Sequence, residues 1–322
     1  MFAATLQRLS SRGQRTLSLF SSSGPSNWSK VVSDAEKIVG YPTSFMSLRC
    51  LLSDELSNVA MHVRKLVGTQ HPLLNTASQR NLAEITELIH TAFLVHRGIV
   101  DLKEWTVSDG PLKDMQFGNK MAVLSGDFLL ANACTGLAQL DNTKVVELIS
   151  SAIGDLVQGI YYENSNNTEE NILTDGVDMA TWEEQTFLSH GALLAKSCQA
   201  AMELAKHDKE SQRLAYKYGK HLSLGHKLNS DLQPFVKSSM GESSPFSFSA
   251  APVVFHRQII GQERWHQQLE QLLAAVKSEK GVSSAVDLCC YHGNKALEAI
   301  QAFPSSEARS ALENIASAIT KF

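Results

Sequence analysis

Apolar residues recur at three- and four-residue spacing through most of this chain, the period that stacks side chains on one face of an α-helix. The pattern predicts helices over residues 31–46, 50–67, 82–101, 117–141 and 143–163, and again over 181–206, 208–229, 262–279, 281–302 and 305–322. The last is the cleanest. Ala308, Leu312, Ile315, Ile319 and Phe322 mark one face, and Pro304-Ser305 ahead of them reads as a helix start. No alternation of period two is sustained beyond a few residues, and no segment repeats. Two polar stretches, Asn164–Asp178 and Lys237–Ser249, read as loops. The expected fold is therefore all-α, a helical bundle.

Composition narrows this only slightly. With 322 residues, 43% hydrophobic and 19% charged, the chain is long enough for one large core or two domains. A net charge of −4 argues against a dedicated nucleic-acid binder. Cys50, Cys134, Cys198, Cys289 and Cys290 form no C-x-x-C pair and no zinc spacing, so they read as free thiols in a reducing compartment. No transmembrane segment is expected, because Asp127 interrupts the most apolar candidate. The dinucleotide glycine fingerprint, the Walker A loop, the zinc helix H-E-x-x-H and the G-x-S-x-G elbow are all missing.

The N-terminus has a character of its own. No Asp or Glu occurs before Asp34, and Arg8, Arg12 and Arg15 step along the same helical period as Phe2, Leu6 and Leu9. A Ser-rich stretch follows. Arg-rich, Ser-rich and acid-poor composition predicts a mitochondrial presequence over residues 1–27, ahead of a helical domain over 28–322.

Two segments carry a family likeness. Residues 82–101 read as a helix ending in Arg97, Gly98 and Asp101, and residues 117–131 run Phe117-Gly118-Asn119 to Gly126-Asp127-Phe128-Leu129-Leu130-Ala131. Order and spacing together resemble the trans-isoprenyl diphosphate synthases, an all-α family with an isoprenoid-synthase helical bundle. Gly118 and Gly126 are expected where close helix contact leaves no room for a Cβ. Asp127, on a largely apolar helix, reads as a satisfied core polar residue in preference to a site residue.

The resemblance implies chemistry that this chain lacks. Such enzymes carry an Asp-Asp-x-x-Asp magnesium motif where Arg97, Gly98 and Asp101 stand. Mg²⁺ needs several oxygen ligands, and Arg97 supplies a fixed cation instead. Arg97 and Asp101, four apart, are expected to pair as ions, with diphosphate binding by Arg97 the alternative. The family's arginine pair falls on Val107–Pro111, and its Lys-Thr on Ser189-His190, with Lys196 out of register. Its second acidic motif, preceded by Phe-Gln, falls on His226-Lys227 followed by Ser230, Asp231 and Pro234. Pro234 is expected to stop that helix. His221 and His226 are five apart, off the pairing that binds soft metals on a helix, and read as surface or core histidines.

Ile38–Arg49, His292–Leu297 and Phe303–Leu312 resemble in particular the non-catalytic subunits of heteromeric polyprenyl (decaprenyl) diphosphate synthases. The resemblance implies no catalytic and no metal-binding residue on this chain, and assigns no substrate-binding residue. It implies a catalytic partner carrying Mg²⁺, assembly as a heterotetramer, and the mitochondrial matrix as location. It also implies a role in making the isoprenoid side chain of ubiquinone. A helical scaffold with no part in prenyl transfer is the competing reading. One departure stands out: His71–Arg80 runs straight into the first motif helix, leaving no room for the element with a Gly-Lys-Arg-type isopentenyl diphosphate motif that precedes it in the family. Its loss is expected to expose apolar faces.

Overall fold

The structure is a computed structural model, and it describes residues 77–102, 111–166, 177–236, 247–268, 272, 275–276 and 280–322. Residues 1–27, expected to be a presequence, the segments 31–46 and 50–67 and most of Val107–Pro111 lie outside the described residues. Helices dominate those that are described, and no strand occurs among them. In chain order they are α1 (Ala77–Arg97), α2 (Leu112–Gln139), α3 (Thr143–Asn166) and α4 (Met179–Thr186). A π-turn at Phe187–Gly191 leads into α5 (Ala192–Leu204), followed by α6 (Lys209–Val236), α7 (Ala251–Gln268), α8 (Lys280–Gln301) and α9 (Glu307–Ala318).

Short polar residues start these helices by accepting orphan backbone N–H groups. Asn142 Oδ1 accepts from Lys144 and Val145 ahead of α3, and Asp208 accepts from Ser211 at α6. Asp178 caps α4 through Thr181, a bond that holds its carboxyl below the usual range. The cap of α9 is Ser306, accepting from Arg309 at 3.1 Å, one residue beyond the expected Pro304-Ser305. Asp141 and Lys206, at positive φ, end α2 and α5.

The described residues divide into two compact units, one drawn from Thr91–Asn132 and the other from residues 77–90 with Ala133–Phe322. In the larger, α6 is the central helix and packs against α5, α7 and α8. One core cluster joins Trp182, Leu228, Leu232, Ala251, Val254, Ala285 and Cys289, with the Trp182 indole donating to Ser249 O at 2.9 Å. A second gathers Phe235, Ala250, Val253, Trp265, Leu272 and Val276. A third joins Tyr218, Ala296, Ala299, Ile300 and Ala316, where the Tyr218 hydroxyl donates to Leu312 O. On α9 the buried line runs through Ala316 and Ile319, whereas Ile315 and Phe322 are exposed, so only part of the expected stripe faces the core.

Two departures from the sequence reading concern helix limits. Pro234 does not stop α6, which continues to Val236 with Pro234 in its last turn. Burial of Leu232 and Phe235 on either side holds that turn against proline's bias. The helix expected over 262–279 does begin just after Gly261, whose φ of 75° breaks the backbone, but a further helical piece from Ala251 precedes that kink and was not expected. In the smaller unit, α2 is the one helix among the described residues that is long and apolar enough, by length and composition alone, to cross a membrane, where none was expected.

Candidate functional site

In the smaller unit the first motif position is the end of a helix. α1 stops at Arg97, Gly98 N donates to Val95 O at 3.0 Å, and Ile99 N donates to His96 O at 3.2 Å. Arg97, the last residue of α1, and Asp101, beyond the helix end, therefore do not share one helix face. The segment beyond is held by the Phe-Gly-Asn element. Asn119 Oδ1 accepts from Val100 N at 3.0 Å, and Asn119 Nδ2 donates to Val100 O at 2.7 Å. Both backbone groups of one residue are thus satisfied by one amide side chain.

The Gly-Asp pair of α2 meets α1 at His96. A Cβ on Gly126 would lie 2.1 Å from His96 Nε2, so any larger residue there would require the imidazole to move. Gly118 has no such need, since the nearest atom to its Cβ is Met115 Sδ at 4.0 Å. His96 Nε2 lies 3.3 Å from Val123 O and 3.5 Å from Asp127 Oδ1. Asp127 is exposed, which corrects its expected place in the core. Leu94, Ile99, Leu112, Val123 and Phe128 are exposed in this unit as well.

In the larger unit the second motif is rebuilt around its surviving aspartate. Lys227 Nζ reaches Asp231 Oδ1 at 2.5 Å, and Asp231 Oδ2 accepts from Ala251 N, the first residue of α7, at 3.1 Å. Both oxygens of the carboxylate are engaged, one by a cation and one by a helix N-terminus. The Asp231 side chain is 9% exposed. Ser230 and His226 point to solvent. Sequence alone gave no sign of the Ala251 contact, because α7 itself was not expected there.

The Lys-Thr position, Ser189-His190, lies on the π-turn. His190 Nδ1 is 2.7 Å from Ser189 Oγ and 3.2 Å from Glu163 Oε1 on α3. The approach is close: a Cβ on Gly159 would lie 2.3 Å from Ser189 N. Lys196 is turned to α3, donating to Asp155 at 2.5 Å and to Ser151 at 3.0 Å. Glu183 is half-buried 3.9 Å from Lys220, whose ammonium sits over the Phe187 ring. Each of these basic groups has an acid of this chain as its neighbour.

Mg²⁺ does not fit these donors. The described residues contain no group of three or more His, Cys, Asp or Glu able to hold a metal ion. Asp231 is committed to Lys227 and Ala251, and Asp101 lies past a helix end. His221 is half-buried against His292, away from exposed His226. Among the described cysteines, Cys134, Cys198, Cys289 and Cys290 are free thiols, and burial pushes Cys198 up to about 12 and Cys289 up to about 11.

Comparison with known proteins places this arrangement. The polyprenyl synthetase family profile matches residues 57–242. The all trans-polyprenyl-diphosphate synthase PDSS2 of Homo sapiens is 57% identical over 358 aligned positions, covering 94% of this chain and 90% of that protein. Those 358 positions exceed the 322 residues here, so the human protein carries a stretch within the alignment with no counterpart in this chain. A probable mitochondrial hexaprenyl pyrophosphate synthase of Neurospora crassa is 34% identical, covering 74% of this chain and 57% of that protein. Among solved structures, the apo form of an Arabidopsis medium/long-chain prenyl pyrophosphate synthase superposes with a TM-score of 0.60 at 26% identity, covering 85% of this chain and 98% of that one. With its helices, its Phe-Gly-Asn and Gly-Asp elements and these relatives agreeing, the chain belongs to the polyprenyl synthetase family.

Proposed function

We propose that this chain is a non-catalytic subunit of a heteromeric all-trans polyprenyl diphosphate synthase, acting by docking on a catalytic chain that carries the Mg²⁺. The observation that carries this reading is the state of Asp231. In a catalytic site its carboxylate would face a metal and a diphosphate; here Lys227 neutralises it and α7 consumes its second oxygen. At the Lys-Thr position, too, the side chain turns to a group of this chain, with His190 3.2 Å from Glu163. The product of the assembly would serve the ubiquinone side chain. The name of the human relative supports the reaction class, and the mitochondrial relative supports a mitochondrial location, the matrix being the compartment we assign. Two copies of each subunit in a heterotetramer is the stoichiometry we assign.

The test is prenyl diphosphate synthesis from farnesyl and isopentenyl diphosphates by a catalytic subunit, with and without this chain co-expressed. Long-chain product that requires both supports the assignment. Mg²⁺-dependent turnover by this chain alone refutes it. No stimulation, with the longer relative active in parallel, assigns the loss to the stretch this chain lacks and leaves it a helical scaffold without a part in prenyl transfer.

A further inference from the structure

The element His292-Gly293-Asn294-Lys295 on α8 has no part in the proposed function, yet it is among the most tightly built places in the larger unit. His292 is fully buried, and its Nδ1 lies 2.8 Å from Nδ1 of His221 on α6. The rings are 5.1 Å apart and tilted by 35°. Tyr291 meets both rings edge-on. Side chains from the residues that follow α9 lie against both helices here. A Cβ on Gly225 would meet Ile319 Cδ1 at 2.5 Å, and one on Gly293 would meet Thr320 Cγ2 at 2.6 Å.

A hydrogen bond between two Nδ1 atoms needs one protonated and one bare nitrogen, so the two rings must adopt opposite tautomers. The other edge of His292 decides which. Its Nε2 is buried and has no hydrogen-bond partner. Buried N–H groups without an acceptor are rarer and costlier than bare acceptors, so the proton of His292 belongs on Nδ1. His221 then accepts at Nδ1 and carries its own proton on Nε2, at the edge of a half-buried ring.

We infer that His221 and His292 form a neutral, tautomer-locked clamp between α6 and α8 that opens on acidification. A proton added at His221 Nδ1 removes the acceptor, and one added at His292 Nε2 places a charge where nothing receives it. The surroundings act in the same sense. Lys217 and Lys220 on α6 and Lys295 on α8 oppose a positive charge, and only Glu298 favours it. Tyr291 on α8 is the titratable ring against both histidines, and Ile319 and Thr320, which follow α9 and lie against this place, are not ionisable. Burial first, and then these lysines, push His221 down to about 4; burial, then His221 and Lys220, push His292 down to about 4.

The sign follows from linkage. Above the unfolded value of 6.5 both rings are neutral in either state and the clamp is intact. As pH falls from there toward 4, the unfolded chain takes up protons that the folded one refuses, and stability is lost. With half-burial of His221 allowed for, the folding equilibrium constant is expected to drop about tenfold or more between pH 7 and pH 5 on account of this pair.

Long-range ¹H–¹⁵N spectra of the full chain labelled with ¹⁵N-histidine test this directly. The expected result is one ring in the Nδ1–H form, one partner in the Nε2–H form, and neither titrating above pH 5. Both rings in the Nε2–H form, or either titrating near 6.5, overturns the clamp. His292→Asn, which keeps a polar group at the Nδ1 position, and His221→Asn are each expected to flatten the dependence of urea-unfolding stability on pH between 6.5 and 5. An unchanged slope in a folded variant also overturns it, and the wild-type spectra decide alone if neither variant folds.

Discussion

Lys227 and Asp231, one turn apart on α6, hold each other at 2.5 Å while the second oxygen of Asp231 starts α7. Lys227→Met should leave a nearly buried carboxylate short of a partner, at a cost of about 1–3 kcal/mol. Asp231→Ala removes the ion pair and the contact to Ala251, for about 1–3 kcal/mol. The double variant should cost less than the sum of the two, since each single change strands the other group. Urea unfolding of the three variants measures the coupling, and additive costs would mean that the pair contributes nothing.

Close helix contact predicts a contrast between two glycines. A Cβ on Gly219 would sit 2.8 Å from Ala195 Cα and 2.9 Å from Leu194 O, both backbone, whereas one on Gly154 meets nothing within 4 Å. Gly219→Ala should therefore destabilise by about 1–3 kcal/mol by prising α6 from α5. Gly154→Ala, exposed on α3, should stabilise by up to about 1 kcal/mol through lost freedom of the unfolded chain. Thermal midpoints of the two variants should move in opposite directions.

Asn119→Ala deletes both hydrogen bonds to Val100. The expected cost is about 1–3 kcal/mol, confined to the segment after α1. Hydrogen exchange should accelerate at the Val100 amide more than at the amides of α6. Equal acceleration in both places would deny Asn119 a local role.

Thiol chemistry should separate the cysteines. Cys134 is exposed, whereas burial raises Cys198 to about 12 and Cys289 to about 11 and keeps them as thiols at pH 8. An alkylating reagent at that pH should label Cys134 within minutes and reach Cys198 and Cys289 only in denaturant, as peptide mapping would read. Equal labelling of all three in the native state would contradict the packing around α5 and α8.

Magnesium should leave the folded chain indifferent. A ligand at a hundred times its dissociation constant adds about 2.7 kcal/mol to stability, enough to shift a thermal midpoint by several degrees. Millimolar Mg²⁺ is expected to shift it by less than about one degree. A rise of several degrees would reveal carboxylates converging in a way the geometry of Asp101 and Asp231 does not provide.

Much of this architecture is legible in sequence because an amphipathic helix advertises its inner face. α3 and α8 have nearly the limits their periodicity predicts. The first half of α7 escapes that test. Ala250, Ala251, Val253, Val254 and His256 are all buried, so apolar residues lie on several sides and no stripe stands out. Pro252 reads as a breaker, yet it sits in the first turn, where proline costs no hydrogen bond.

The site was legible as a set of losses and opaque as a set of replacements. Missing aspartates are visible in a string of letters. The contacts that took their place are mostly long-range: Ala251 to Asp231, Glu163 to His190, Asp155 to Lys196. Sequence spacing carries no signal for such pairs. Asp127 shows the reverse error, since an apolar helix implied burial while the residue lies exposed beside His96. The helix-face geometry read for Arg97 and Asp101 assumed a helix continuing past Gly98, whereas α1 ends at Arg97.

The double engagement of Asp231 also works as a ratchet on the history of the chain. Restoring the family's glutamine in place of Lys227 would not free Asp231 for a metal; it would strand a carboxylate that α7 still uses. Adding acids at Ser230 or Pro234 while Lys227 remains would put them beside a charge already satisfied. Each single step back toward a metal site loses stability before it gains any ligand. The chain can drift along its surface, but its second motif holds its present form for reasons of folding.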